Sequence, residues 1–187
     1  MTDVQGPWFE VTPAILTRAT RLAEARLNEP GRRLSPDRKS ARNLQSQIRG
    51  ALGELVATMW LESHGFGHER GFETDSISAS DLTVNGVSIE VMTAKIGDRT
   101  KTGFCVPPNK LAAARSRGAW GYLFIGTDDL APPERLLVQG AVRIEDVDSQ
   151  PPRMTFVNNP AYSVLNHVVE EQLLLQPARL VEVLRSR

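Results

Sequence analysis

Asp81 and Glu90 flank a segment whose own turn dictates how near they come to one another. Between them Asn85-Gly86 is a strong two-residue hairpin signal, because both residue types accept the positive φ that a type I′ turn demands. With these two at the centre of the turn, Val84 pairs with Val87, Thr83 with Ser88, Leu82 with Ile89, and Asp81 with Glu90. Side chains alternate between the faces of a strand. Leu82, Val84, Val87, Ile89 and Val91 therefore share an apolar face, and Asp81, Thr83, Ser88, Glu90 and Met92 share the other. Two carboxylates opposite each other in an antiparallel pair repel. A hard divalent ion held by both, with a main-chain carbonyl and water, would relieve that repulsion. So would exposure to water, or a neighbouring Arg or Lys.

A third carboxylate lies upstream. Glu54 stands in Gly50-Ala51-Leu52-Gly53-Glu54-Leu55, in the middle of a predicted long helix. Gln47, Gly50, Ala51, Ala57 and Thr58 lie nearest to it on that helix, and most of them are small. Two glycines inside a helix cost about 1 kcal/mol each relative to alanine, which close approach to a sheet would offset. A glutamate aimed at a sheet needs a partner, and a metal shared with Asp81 and Glu90 would be one. The other reading is a surface glutamate beside the buried stripe.

Glu54 in its G-x-x-G-E setting, then Asp81, then a nine-residue step to Glu90-Val91-Met92-Thr93, resembles the PD-(D/E)XK (restriction-endonuclease-like) nuclease superfamily. The predicted order helix, three strands, helix, strand over about 37–126 matches the core of that superfamily. The resemblance implies an α/β fold with a mixed central sheet flanked by helices, and magnesium-dependent (or manganese-dependent) hydrolysis of DNA phosphodiester bonds. It implies that Asp81 and Glu90 hold the metal, with the carbonyl of Val91. Glu54 would join them directly or through water. One position departs from the pattern: the residue two after the strand acid is usually lysine, and here it is Met92, which cannot stabilise developing charge. Three readings follow. A basic residue from elsewhere substitutes, with Lys95 nearest in sequence and Lys39, Arg49 or Lys101 further off. Alternatively, the domain is catalytically inactive and binds nucleic acid or acts as a scaffold. Or Met92 is an introduced substitution.

The elements that must position these residues are legible from periodicity and turn signals. A helix is predicted over about Pro13–Asn28 with Thr12 as its cap, then a Pro/Gly loop at Glu29–Pro36. The long helix follows from about Asp37 to His64, with Leu44, Ile48, Leu52, Leu55 and Met59 as its buried stripe and Gly65 as its stop. Strands are predicted at Phe66–Thr74 (irregular), Ser80–Val84, Val87–Thr93, Ala119–Gly126 and Leu136–Ile144. Gly97–Gly103 reads as a loop, Asn109–Arg117 as a short helix, and Tyr162–Leu175 and Ala178–Arg185 as closing helices. The expectation is a single domain over 1–187, with a core at about 37–145, an N-terminal helical segment at 1–36 and a C-terminal helical segment at 160–187.

The 187 residues carry 22 basic and 22 acidic side chains, so net charge alone does not point to nucleic acid. The distribution does. Arg18–Arg49 holds nine basic against three acidic residues, a net +6 that leaves −6 on the remainder. Within it Arg38, Lys39, Arg42 and Arg49, joined by Lys101, are candidate phosphate contacts; the alternative is a solvated helix face. Cys105 is the only cysteine, which excludes an intramolecular disulfide and favours a reducing, cytoplasmic setting. His64, His68 and His167 lack the spacing of a zinc site, and no glycine-rich phosphate loop occurs. The start lacks the pattern of a secretory signal, and no apolar run is long enough to span a membrane. DNA is the expected partner, and a homodimer is compatible with the reading. A module whose acidic face binds a basic protein is the reading from another class.

Overall fold

The computed structural model describes residues 6–28, 41–70, 80–96, 103–128, 131–156 and 163–187, without the side chains of 41–43, 70, 95, 156, 163 and 164. Thr12 caps helix α1 (Pro13–Asn28), its Oγ1 accepting the Ile15 N–H at 3.3 Å. Helix α2 (Ala41–Ser63) ends at Gly65, whose φ of +79° is a conformation that glycine adopts without steric cost. The predicted start of α2 at Asp37, and the loop Glu29–Pro36, lie outside the described residues.

The hairpin of β3 (Leu82–Val84) and β4 (Val87–Lys95) has the register that Asn85-Gly86 specifies: Val84 faces Val87, Thr83 faces Ser88 and Leu82 faces Ile89. Asn85 and Gly86 take φ of +48° and +76°, as a type I′ turn requires. Asn85 Nδ2 also donates to the carbonyl of Leu184, tying the hairpin tip to the C-terminal helix α5 (Pro177–Arg185).

Around this hairpin a six-stranded mixed sheet forms in the order β1-β7-β6-β4-β3-β2. Its other strands are β1 (Trp8–Glu10), β2 (His68–Arg70), β6 (Gly121–Thr127) and β7 (Arg135–Arg143). Only β4 and β6 pair in parallel, and between them the chain passes through β5 (Gly103–Val106) and helix α3 (Pro108–Ser116). β5 belongs to a second sheet of order β5-β9-β8, with β8 at Arg153–Phe156 and β9 at Ser163–Glu170.

Helices cover both faces of the mixed sheet. On one face Ala19 of α1, Leu52, Leu55 and Val56 of α2 and Leu180 and Leu184 of α5 pack against Leu82, Ile89, Leu123 and Ile125. On the other, Leu111 and Ala114 of α3 and Ile144 and Val147 of α4 (Ile144–Asp148) pack with Phe104, Tyr122 and Phe124. The complete burial of β6 follows from this, because both faces of the strand are covered. Trp60 belongs to the first core at 1% exposure.

Several predicted elements change. Tyr162–Leu175 is not a helix: β9 occupies Ser163–Glu170 and a 3-10 turn follows at Glu171–Leu173. The C-terminal segment is thus strand, turn and then α5. Apolar residues at 165, 168 and 169 suit a helix repeat, but pairing with β5 on one edge and β8 on the other wins for a segment carrying β-branched Val168 and Val169. β1, β5, β8 and α4 were not predicted at all; each is five residues or fewer, too short for a period to register.

The two glycines of α2 have different roles. A Cβ at Gly53 would lie 1.8 Å from Thr93 Oγ1 and 3.0 Å from Thr93 Cβ, whereas a Cβ at Gly50 would meet nothing within 4 Å. Only Gly53 therefore marks the close approach of helix to sheet. Thr93 is β-branched and stiff, so it cannot swing clear. Gly53→Ala should lose about 1–3 kcal/mol through overpacking, while Gly50→Ala should gain about 0.5–1 kcal/mol from helix propensity. Urea denaturation of both variants checks this, and equal effects would contradict it.

Candidate active site

Glu54 and Glu90 lie on opposite sides of β4, and the charge of Asp81 acts on both. Glu54 is carried to its side by the close seating of Gly53 on Thr93, and it is only 7% exposed. Glu90 is buried on the opposite side of β4, on the face that holds Met92, Tyr122 and Phe124. Asp81 stands just before β3. Its expected ladder pairing with Glu90 does not form, since the ladder stops at Leu82–Ile89. Instead Asp81 Oδ2 accepts the Val91 N–H at 2.8 Å. An N–H of a strand points along the sheet, so this carboxylate takes the place of the next strand residue at the edge rather than standing on a face.

Burial raises all three carboxyl groups. Burial pushes Glu54 up to about 7, with the charge of Asp81 adding to the shift and the hydrogen bonds of Arg26 opposing it. Burial also raises Glu90, and Asp81 raises it further, against the pull of Arg117 and of a hydrogen bond from the Ser80 side chain. Asp81 is itself raised by burial, partly offset by the Val91 N–H and by the charges of Arg26, Lys110 and Arg117. Asp81 is thus the group whose charge acts on both of the others.

Two arginines answer the outer carboxylates. Arg26, in the last turn of α1, donates Nη1 to Glu54 Oε1 at 3.1 Å and Nη2 to Glu54 Oε2. Arg117, the C-cap of α3, donates Nε to Glu90 Oε1 at 3.0 Å and Nη2 to Oε2 at 2.8 Å. Two-point pairing of this kind is what the planar guanidinium fork favours. Lys110, exposed in the first turn of α3, lowers both Glu54 and Asp81 by its charge and forms no ion pair with a described residue. Sequence reasoning passed over all three as site residues. A signal existed for Arg26: it falls on one helical face with Ala19 and Ala23, the buried residues of α1. Arg117 and Lys110 reach the site only through the placement of α3 over the sheet.

The remaining expected site residues scatter. Met92 is half-buried and packs against the second core beside Phe124, with which it pairs across β4 and β6. Its place in the motif is filled by apolar contact. Arg49 is half-buried on α2, with its Nε enclosed and unpartnered. Lys95 ends β4 opposite Thr127, and Arg42 lies in the first turn of α2; the side chains of both, and Arg38, Lys39 and Lys101 entirely, lie outside the described residues. Tyr122, cross-strand from Glu90, is 2% exposed, and its hydroxyl has no partner.

Among the described residues no group of three or more His, Cys, Asp or Glu side chains is arranged to hold a metal ion. Glu54 and Glu90 stand on opposite sides of β4, and each has both oxygens on an arginine, so they are not presented together to one ion. No helix among the described residues is long and apolar enough to cross a membrane. No protein-family model and no curated protein matches the chain.

The raised Glu54 has a consequence for stability. Folding takes up a proton there between its ordinary value of 4.5 and about 7. Its contribution is complete below the ordinary value and is lost as the pH rises through about 7. Asp81 and Glu90 shift in the same direction. Stability in urea should therefore fall from about pH 5 to about pH 8, and Glu54→Gln should make that fall shallower. A stability that rises across the interval contradicts the assignment.

Proposed function

We propose that the protein is a magnesium-dependent (or manganese-dependent) deoxyribonuclease of the PD-(D/E)XK kind. The observation that carries the reading is the convergence on Asp81: its charge acts on both Glu54 and Glu90, from α2 on one side and β4 on the other. The order α2, β2, β3, β4, β5, α3, β6, with β5 set apart in the second sheet and β6 parallel to β4, supports the matching core. In this reading Asp81, Glu90 and the carbonyl of Val91 hold the ion, and Glu54 joins directly or through water. The bound cation would polarise the scissile phosphate and acidify water. Lys110 takes the part that Met92 cannot, because its ammonium already acts on Glu54 and Asp81 from across the cluster and is not committed to a described carboxylate. The basic Arg18–Arg49 segment contacts DNA phosphates. A homodimer is compatible with the proposal.

A second reading keeps one specific observation in its favour. Met92 packs into an apolar cluster and both outer carboxylates carry an arginine, which suits a domain that binds nucleic acid without cutting it. An acidic docking face for a basic protein loses its main support, because Glu54 is buried.

Incubation of plasmid DNA with the purified chain and magnesium decides between these. The chain should nick or linearise DNA, Asp81→Ala should abolish the cutting, and Lys110→Ala should slow it by about two to three powers of ten. In the Lys110→Ala background, Met92→Lys should restore part of the rate, since residue 92 shares the Glu90 face. DNA that binds but is never cut, with or without Met92→Lys, assigns the protein to the second reading.

A further inference from the structure

Resting on the nucleic-acid reading in either form, and on no metal, we propose that Arg49 and Thr127 form a phosphate-binding site at the carboxyl ends of the parallel strands β4 and β6.

Arg49 is half-buried, and its Nε is enclosed without a hydrogen-bond partner. No other arginine or lysine nitrogen among the described residues is buried in that condition. Arg26 and Arg117, also half-buried, each grip a carboxylate with two nitrogens. A guanidinium stays charged at any working pH, so one drawn partly out of water without an anion is costly to hold. The fold fixes what stands opposite it. α2 ends beside the hairpin tip: Arg185 of α5 donates to the His64 carbonyl at 3.5 Å, and the neighbouring Leu184 carbonyl accepts Asn85 Nδ2 at 3.0 Å. Gly53, nearer the start of α2, sits on Thr93, well along β4 from that tip. α2 therefore runs opposite to β4. One turn before Gly53, on the same helix face, is Arg49. A helix rises about 6 Å over that turn, close to the length of two strand residues, about 6–7 Å. Arg49 thus comes level with position 95, whose partner across the parallel ladder is Thr127.

Thr127 alternates with Leu123 and Ile125 of the first core, so its side chain stands on the face that α2 covers. It is fully buried and its hydroxyl has no partner; the hydroxyl of Thr93, on the same face, has none either. Buried polar atoms are nearly always paired, and here three orphans from α2, β4 and β6 gather at one end of one sheet face. Their chemistry is that of donors: a guanidinium fork and hydroxyls, the groups that take phosphate oxygens. The described carboxylate next in sequence, Asp128, turns instead to the main-chain N–H groups of Glu134 and Arg135. Beside Arg49 a Cβ at Gly50 would meet nothing within 4 Å, which leaves room for a ligand against the helix.

The test uses the full chain in EDTA, so that no divalent cation takes part. Binding of a short DNA duplex is followed by fluorescence anisotropy. The unfolding midpoint is measured against inorganic phosphate, with chloride at matched ionic strength as the blank. Arg49→Gln should weaken duplex binding about tenfold, as expected for a lost charged hydrogen bond, and should lower the salt slope by about one. Arg49→Lys, which keeps the charge but loses the fork, should fall between. Thr127→Val, an isosteric change at an orphan hydroxyl, should weaken binding about threefold while its midpoint without phosphate stays level or rises. Phosphate should raise the midpoint of the parent but not that of Arg49→Gln. Weaker duplex binding by Arg49→Gln assigns the site to a phosphate of a nucleic-acid strand. An unchanged duplex affinity with a lost phosphate response assigns it to free phosphate or a small phosphate ester, and overturns its role in nucleic-acid binding. If Arg49→Gln matches the parent in both, the site is overturned, and the nuclease reading stands or falls separately on whether the parent cuts plasmid DNA with magnesium. A Thr127→Val chain that unfolds earlier yet binds the duplex like the parent makes that hydroxyl structural and overturns its part. If the parent binds neither duplex nor phosphate, the site and the nucleic-acid reading fail together.

Discussion

Carboxylates removed from water beside one another must be answered by positive charge, and this requirement organises the protein around Asp81. Glu54 and Glu90 lie on opposite sides of β4, each close enough to Asp81 to feel its charge. None could be buried there alone without a large desolvation cost. The fold meets the requirement from its periphery: α1 supplies Arg26, α3 supplies Arg117 and Lys110, and the main chain of β4 supplies the Val91 N–H. Replacing such pairs with apolar residues is often neutral or stabilising, whereas removing one partner leaves a buried charge unanswered.

The geometry depends on one contact that involves no charge. Gly53 lets the backbone of α2 come down on Thr93, and a single methyl group at that position would not fit. Glu54 is the next residue, so the depth of its carboxylate is set by this approach. The apolar faces of α2 and α5 then hold the helix in place against Leu82, Ile89, Leu123 and Ile125. Stability of the core and position of the acid are thus decided by the same packing.

Met92 and Lys110 stand differently toward the carboxylates. The strand position opposite Phe124 is half-buried against the second core, and a methionine fills it at little cost. Lys110, in the first turn of α3, instead lowers Glu54 and Asp81 by its charge. Sequence distance conceals this, since residues 92 and 110 are joined only through the packing of α3 against the sheet.

What the sequence determined by itself was local. Asn85-Gly86 specified the register of β3 and β4 because a type I′ turn admits few residue types and leaves no freedom in pairing. Thr12, Pro13 and Gly65 marked helix ends through backbone chemistry that acts within a few residues. Tertiary structure decided the rest. Whether 163–170 became helix or strand depended on β5 and β8, edges formed far away in the chain. Asp81 left the expected ladder to accept the Val91 N–H, a choice made by the end of a strand and not by residue type. The partners Arg26, Arg117 and Lys110 come from helices whose docking depends on burying apolar area, a sum over the whole core that no local spacing encodes.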